Sequence, residues 1–435
     1  MNKRVKTSSD SFSLAVIGAG TAGIAASVFA AQRGISTVQL GKPSEIAFAS
    51  GCLDLFSTLP GEPPRSFSSP REGIRAMAAS NPAHPYARVS ESKILDGFDS
   101  FTRFMASCGI RYHIDPDRNR CIITPAGTLK STLAVPSAMA AGADAVEKKQ
   151  RILIIGIHGL KGFGAKQAAL PLQRVLPEIE TATVEFPGRE NTGDLLCERL
   201  AWDLEKPSVL EAFAGRIKPF SYHVDAVGVP AVLGIWRFEE LRRQLETFLG
   251  RPVFEIPAFA PSVTGLRMKE AFISRAADAG ITVIPETVEK IHMDTHGGFV
   301  FTVVQGLKKR EIRAEYLIMA TGRFMGRGLG VRDGAIREML FDIPVNQPPD
   351  RSGWYHRDFF HPAGHPVNRA GIETDSCFRP LGKGGAVFHS RLYAAGGILA
   401  HQDWKREKSG SGISIASAFK AVSSIAADTG AGKCK

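Results

Sequence analysis

Gly18, Gly20 and Gly23 stand at GxGxxG spacing directly after the apolar run 14–17, and no other feature of the 435 residues narrows the fold so far. The run reads as a buried strand, and the small residues through Ala31 read as the helix that the glycines open. The first glycine permits the tight strand-to-helix turn, the second lets a phosphate approach the backbone, and the third lets the helix lie close on the sheet. The phosphate then meets the free N–H groups and positive dipole end of the helix. The helix is expected to stop at Gly34, before a second strand over residues 36–40. An Asp or Glu about 20 residues past the glycines would hold an adenosine ribose. Gly41 and Lys42 stand there instead, and the nearest acid is Glu45. The phosphate cradle is therefore complete while the adenosine anchor is missing or displaced.

A chain of this length is too long for one ordinary core, so two or more structural units are expected. Lys and Arg outnumber Asp and Glu by 11, a balance compatible with nucleic acid, an anionic membrane surface or phosphorylated substrates. The excess is spread out, with short clusters only at Lys3, Arg4 and Lys6, at Lys308, Lys309 and Arg310, and at Lys405, Arg406 and Lys408. No basic block is interleaved with aromatics, so nucleic acid is not expected as a partner and is a minor alternative resting on charge alone. Cys52, Cys108, Cys121, Cys197, Cys377 and Cys434 form no CxxC pair. No metal or iron–sulfur site is expected within the chain, and the scattered thiols fit a reducing, cytoplasmic compartment. The basic start followed by the uncharged stretch 11–32 resembles a targeting segment, but three glycines at fingerprint spacing suit a strand–turn–helix better. No other segment is long and apolar enough to span a bilayer.

Residues 57–85 are rich in Pro and Ser and read as surface loop with one short helix. Short strands are expected within 112–124, then a turn at 124–128. A second α/β alternation begins with a strand over 151–155 ended by Gly156, a helix through about Leu176 and a strand over 181–186. It continues with 226–233, the helix 238–249 and the strand 253–256. After Pro261 come a helix over 269–279, a strand over 281–284 and a hairpin turning at 295–298. A strand over 315–320 then runs into Gly322, a strand over 392–395 runs into Gly396, and a closing helix covers 413–427. Strands that end in glycine are strands whose carboxyl edge something approaches closely. The fold class is α/β: a discontinuous Rossmann-like domain built from 11–135 and 259–430, which the resemblance below makes a flavin-binding domain, with an inserted second α/β domain over 150–258 and a small β-meander.

These residues carry a resemblance. GxGxxG, Ala320-Thr321-Gly322 and Gly396-Gly397 before a C-terminal helix are similar to the two-dinucleotide-binding-domain flavoproteins. Ser50-Gly51-Cys52-Leu53-Asp54-Leu55, Ala83-His84-Pro85-Tyr86, Thr124 to Thr132 and Pro261 to Arg267 resemble the B subunit of the anaerobic glycerol-3-phosphate dehydrogenases, in the same order, within about 13–427. The resemblance implies a flavin-dependent subunit of a respiratory enzyme oxidising sn-glycerol 3-phosphate to dihydroxyacetone phosphate. It implies a larger flavoprotein partner, the A subunit, together with an iron–sulfur, membrane-anchoring C subunit. The latter links both to the inner membrane and the quinone pool, leaving this chain peripheral on the cytoplasmic face. It also implies FMN, with FAD the alternative. The Asp that many flavoproteins carry after the last strand, for a ribityl hydroxyl, is here Gly397.

Gly18, Gly20 and Gly23 are assigned to the phosphate, Ser50 and Gly51 to the isoalloxazine edge, and Gly322, Gly396 and Gly397 to close approach of the cofactor. Lys130, Arg267, Arg379 and Arg323 are the candidate cations for a phosphate or an anionic reduced flavin, each with a surface charge or structural ion pair as the alternative. His84, His158, His361 and His401 lie in expected loops, but none has the partners of a general base, and the catalytic residues stay unassigned. The segment 156–164 lacks full phosphate-loop spacing and reads as a βα turn. Two other functions remain open: an independent FAD- or NAD(P)H-dependent oxidoreductase, which should show a second complete GxGxxG and does not, and a non-catalytic assembly subunit with a vestigial nucleotide site.

Overall fold

The computed structural model describes residues 10–42, 45–305 and 308–430, so Lys3, Arg4, Lys6 and Cys434 lie outside the described residues. Its contacts divide the chain into two compact units. One comprises residues 1–45, 55–104 and 272–435, and the other 46–54 and 105–271. The second unit is thus wider than the expected insertion at 150–258, and it takes the loop 46–54 away from the N-terminal part. The reason is local. Ser262 Oγ donates to Ala49 O at 2.6 Å, Thr264 Oγ1 to the same oxygen at 3.0 Å, and Leu53 pairs with Ala134.

The first unit is built on a seven-stranded sheet. Its order is Ile281–Ile284, β2 (Thr37–Leu40), β1 (Asp10–Ile17), Lys308–Met319, Phe299–Gln305 and Val288–Met293, with Leu392–Ala394 also pairing to Lys308–Met319. The pairs from Ile281–Ile284 through Lys308–Met319 and Leu392–Ala394 are parallel, and the last three strands in chain order before 320 form the expected antiparallel meander. Register places Ile284, Leu40, Ile17, Met319 and Ala394 in one row. The carboxyl ends of five parallel strands therefore share one edge, where ligands bind in open α/β sheets.

Helix α1 (Thr21–Ala31) follows β1, and its residues from Ala22 to Ala30 are all buried. A helix apolar on every side must be covered on every side. Its small residues pack on the equally small helix Gly410–Thr429, and Phe29 meets Phe419 edge to face with centroids 5.2 Å apart. Arg33 closes the end of α1, donating from Nη1 to Phe29 O at 2.9 Å.

The second unit holds a four-stranded parallel sheet in the order Ile179–Val184, Ile152–Ile157, Ala226–Pro230, Val253–Ile256. Ile152–Ile157 is buried at every position, the pattern of a parallel strand covered on both faces. It runs through Gly156 rather than ending there. The helix expected as far as Leu176 is instead a turn, a short helix Ala165–Ala169 and a 3-10 segment Leu170–Arg174, because Pro171 has no N–H and Gly159 and Gly162 take positive φ. Helix Ser137–Glu147 packs where Phe254 fills the room left by Gly142: a Cβ on that glycine would lie 2.3 Å from the ring.

Candidate functional site

At the carboxyl edge of the large sheet the backbone is crowded enough to exclude side chains. Gly18 has φ +125°, and a Cβ there would stand 2.1 Å from Ala320 O. Its N–H donates to Leu40 O at 2.8 Å, so the turn is held between β2 on one side and the Lys308–Met319 strand on the other. Gly23 faces it from α1, where a Cβ would be 1.9 Å from Gly18 O. Gly20 is the N-cap of α1 with extended backbone, no side chain caps the helix, and no acid stands in its first turn. The positive end of the helix is thus free of internal anions.

The other glycines expected to contact the cofactor come to the same edge. Gly322 has φ +64°, and Thr321 Oγ1 beside it is buried without a partner. Gly396 has φ +76°, donates its N–H to Ser417 Oγ at 2.9 Å, and would drive a Cβ to 2.6 Å from Ala22 Cβ on α1. Gly397 differs. A Cβ there would rest 3.7 Å from Gly322 Cα, an ordinary contact, so space does not forbid the Asp expected of other flavoproteins.

The acid position at the end of β2 is closed more firmly. Gly41 has φ +128°, donates to Ile284 O at 3.1 Å, and would place a Cβ 3.6 Å from Gly18 Cα. Asp or Glu is strained in that conformation. Gln39, fully buried, works from the same strand: Nε2 donates to Gly18 O at 3.1 Å, while Oε1 is buried without a partner. Gln39 is absent from the residues singled out by motif, although a polar side chain in a four-residue apolar strand is a signal that could have found it.

The cations are engaged inside the chain. Arg323 donates from Nε to Gly397 O at 2.8 Å, from Nη2 to Gln402 O at 2.9 Å and Leu399 O at 3.3 Å, and from Nη1 to Asn368 O. Burial pushes its pKa down to about 10, with Asp403 and Glu407 opposing, so it stays cationic at neutral pH and serves as a clamp on the loop 396–402. In the second unit Arg267 grips Glu255, with Nη2 to Oε1 at 2.8 Å, and donates from Nε to Gly234 O at 2.9 Å. Lys130 Nζ lies 2.8 Å from Asp54 Oδ2 and donates to Ser50 Oγ at 3.1 Å. Arg379 pairs with Asp375 at 2.7 Å. Arg267, Arg379 and Lys130 thus each make an ion pair within the chain.

Ser50 and Gly51 belong to the second unit, where Gly51 has φ +84° and a Cβ would meet Thr264 Cβ at 3.1 Å. Three of the resembling segments thus meet inside that unit. Cys52, between Ser50 and Asp54, is buried, and burial pushes its thiol up to about 11, so it is not a nucleophile at neutral pH.

None of the four histidines is placed as a base. His84 is fully buried, accepts from Tyr86 N at Nδ1 (3.1 Å), and so carries its proton on Nε2, 3.3 Å from Glu407 Oε2. His158, His361 and His401 pair with Glu185, Glu62 and Glu373 at 3.4, 2.9 and 2.7 Å. Among the described residues no three His, Cys, Asp or Glu side chains are grouped to hold a metal ion, no disulfide forms, and no helix is long and apolar enough to cross a membrane.

A glycine-walled edge with an uncapped helix end and orphaned polar oxygens fits a phosphate-bearing cofactor, and likeness to known proteins gives the class. Residues 13–413 match the family of FAD binding domains, and the chain belongs to that family of flavoprotein oxidoreductases. It is 30% identical over 432 residues to the B subunit of the anaerobic glycerol-3-phosphate dehydrogenase of Vibrio cholerae serotype O1, covering 96% of this chain and 97% of that one. It is 31% identical over 430 residues to the probable B subunit of the same enzyme in Halobacterium salinarum, covering 94% and 97%. The chain is a member of this B-subunit family of the anaerobic glycerol-3-phosphate dehydrogenases. Among solved structures, 3-ketosteroid delta1-dehydrogenase from Sterolibacterium denitrificans aligns over 97% of this chain and 100% of its own at 11% identity, with a TM-score of 0.44.

Proposed function

We propose that this protein binds FMN and takes part in the oxidation of glycerol 3-phosphate to dihydroxyacetone phosphate, passing electrons toward quinone. Its partners in this reading are a flavoprotein A subunit plus an iron–sulfur C subunit, with the chain in the cytoplasm and peripheral to the membrane through them. The relatives' names supply the reaction. The carrying observation for FMN is Gly41: the position that would anchor an adenosine ribose has a backbone conformation hostile to Asp and Glu, while the phosphate turn beside it is intact.

In this reading Gly20 and the start of α1 hold the phosphate, and Gly18 and Gly23 make room for it. Gly322, Gly396 and Gly397 border the ring system, and Arg323 fixes the loop that carries the last two. A bound flavin accepts two electrons at once and releases them singly. No residue of this chain is assigned as general base, which favours a relay role over a complete dehydrogenase site.

Coexpression with the A and C subunits tests the reading through Gly20→Val, whose branched side chain would stand where the phosphate approaches the backbone. Glycerol-3-phosphate-dependent quinone reduction by the complex is expected to fall to the level of a preparation stripped of this chain's flavin. Unchanged activity of a fully assembled Gly20→Val complex would favour the assembly role instead.

A further inference from the structure

The turn between β1 and α1 leans on a side chain that the glycine fingerprint does not include. Gln39 is fully buried in β2, and its Nε2 donates to Gly18 O at 3.1 Å. The same nitrogen lies 3.2 Å from where a Cβ of Gly23 would stand, so the amide occupies the seam between the sheet and α1. Turned the other way it would set Oε1 against Gly18 O, two acceptors face to face, and the donor orientation is the one that pairs. Burying an amide costs free energy unless it is hydrogen-bonded, and here Oε1 has no partner. The cost points to a use for the one bond that is made.

What that bond holds is a peptide plane. In a planar trans peptide the C=O and the following N–H point in opposite directions. Gly18 O is directed into the seam, toward Gln39 Nε2 and the Gly23 position, so Ala19 N–H is directed out of it. Ala19 is buried, and among the described residues neither its N–H nor that of Gly20 meets an acceptor. Buried backbone donors without a partner are rare enough to need a reason. The plane also needs a lock. Its carbonyl belongs to a glycine at φ +125°, and no side chain there restrains rotation of the peptide. The bond from Gly18 N to Leu40 O at 2.8 Å fixes only the peptide before it.

We propose that Gln39 is the positioning residue of the phosphate turn: its hold on Gly18 O keeps Ala19 N–H aimed outward as a donor to a phosphate monoester. The N–H groups of Ala19 and Gly20, beside the uncapped start of α1, then receive the phosphate oxygens together. The inference rests on the reading of this edge as the phosphate site of a flavin mononucleotide, and adds the side chain that keeps its donors aligned.

Titration of the flavin-free full chain with FMN and with riboflavin, each followed by quenching of flavin fluorescence, tests it. Riboflavin carries the same ring and ribityl chain without the phosphate, so the parent is expected to bind FMN more tightly. Gln39→Met, of similar length but without a donor, should weaken FMN by roughly tenfold or more and leave riboflavin unchanged, the loss of one hydrogen bond to a charged group. Gln39→Glu sets a carboxylate against Gly18 O at about pH 8 and should weaken FMN likewise, and at about pH 5 its protonated carboxyl donates again. Its FMN affinity should then return toward that of the parent at the same pH. A Met variant that loses both ligands alike, or keeps full FMN affinity, overturns the assignment, as does a Glu variant without recovery in acid. If the Met variant does not fold, as read by thermal melting, the acid recovery of the Glu variant decides. A parent that binds riboflavin as tightly as FMN contradicts the phosphate reading itself.

Discussion

Gly23→Ala is expected to give a less stable protein without bound flavin. The added methyl would stand 1.9 Å from Gly18 O, 2.7 Å from Gly18 C and 3.2 Å from Gln39 Nε2. The first two are backbone atoms of a turn that cannot retreat, because Gly18 itself already lies against Ala320 O. Helix α1 must therefore lift from the sheet by more than an ångström, on the order of the gap to an ordinary contact. Forcing such an overlap costs about 1–3 kcal/mol, against which the better helix propensity of Ala returns about 1 kcal/mol. The loss of flavin should exceed the loss of stability, because the helix end is the proposed phosphate site. Thermal melting and absorbance of the purified variant check both, and a yellow, equally stable Gly23→Ala protein would refute this packing.

His84→Ala should cost about 3 kcal/mol at neutral pH and change how stability depends on acid. The ring is fully buried, so its removal leaves a cavity and takes one of three donors from the buried Glu407 carboxylate. The others are Asp403 N and Ser409 Oγ, both at 2.7 Å. Burial alone would raise the Glu407 pKa, but the hydrogen bonds from His84, Ser409 and Asp403 outweigh it and hold the pKa below the usual value. A carboxylate depressed in the folded state stabilises fully above the unfolded Glu range, about pH 4.3, and the contribution fades as pH falls through the lower folded value. Parent and variant should therefore differ most near neutrality, and the gap should narrow in acid to the part left by the cavity. Urea unfolding from pH 7 down to pH 3, about the span that brackets that range, measures this. A gap that widens toward low pH would contradict the assignment.

The nucleotide edge is legible in the sequence because its requirements are local. Gly18 and Gly23 sit where a positive φ or a clash leaves no alternative, and apolar runs into Gly322 and Gly396 mark strand ends within a few residues of the site. The acid missing after β2 is visible there too, but its cause, the φ of Gly41, is not. The features that escape sequence reading depend on distant partners. Arg323 follows a glycine motif and looks like an anion ligand, yet the carbonyls it binds lie 45 to 79 positions away. His84 meets a glutamate 323 positions away, and the loop 46–54 leaves the first unit through hydrogen bonds to residues more than 200 positions on. Helix Glu91–Ser107 escapes for another reason: its mixed charged and apolar run carries no proline to delimit it.

Chromatography of the chromophore released by heating the purified chain tests the central claim most directly. FMN is expected in amounts approaching one per chain, because the phosphate turn is intact and Gly41, where the ribose-binding acid would stand, has a φ hostile to Asp and Glu. Release of FAD would contradict the mononucleotide site, and a colourless protein that stays colourless after coexpression with its partners would contradict the flavoprotein account altogether.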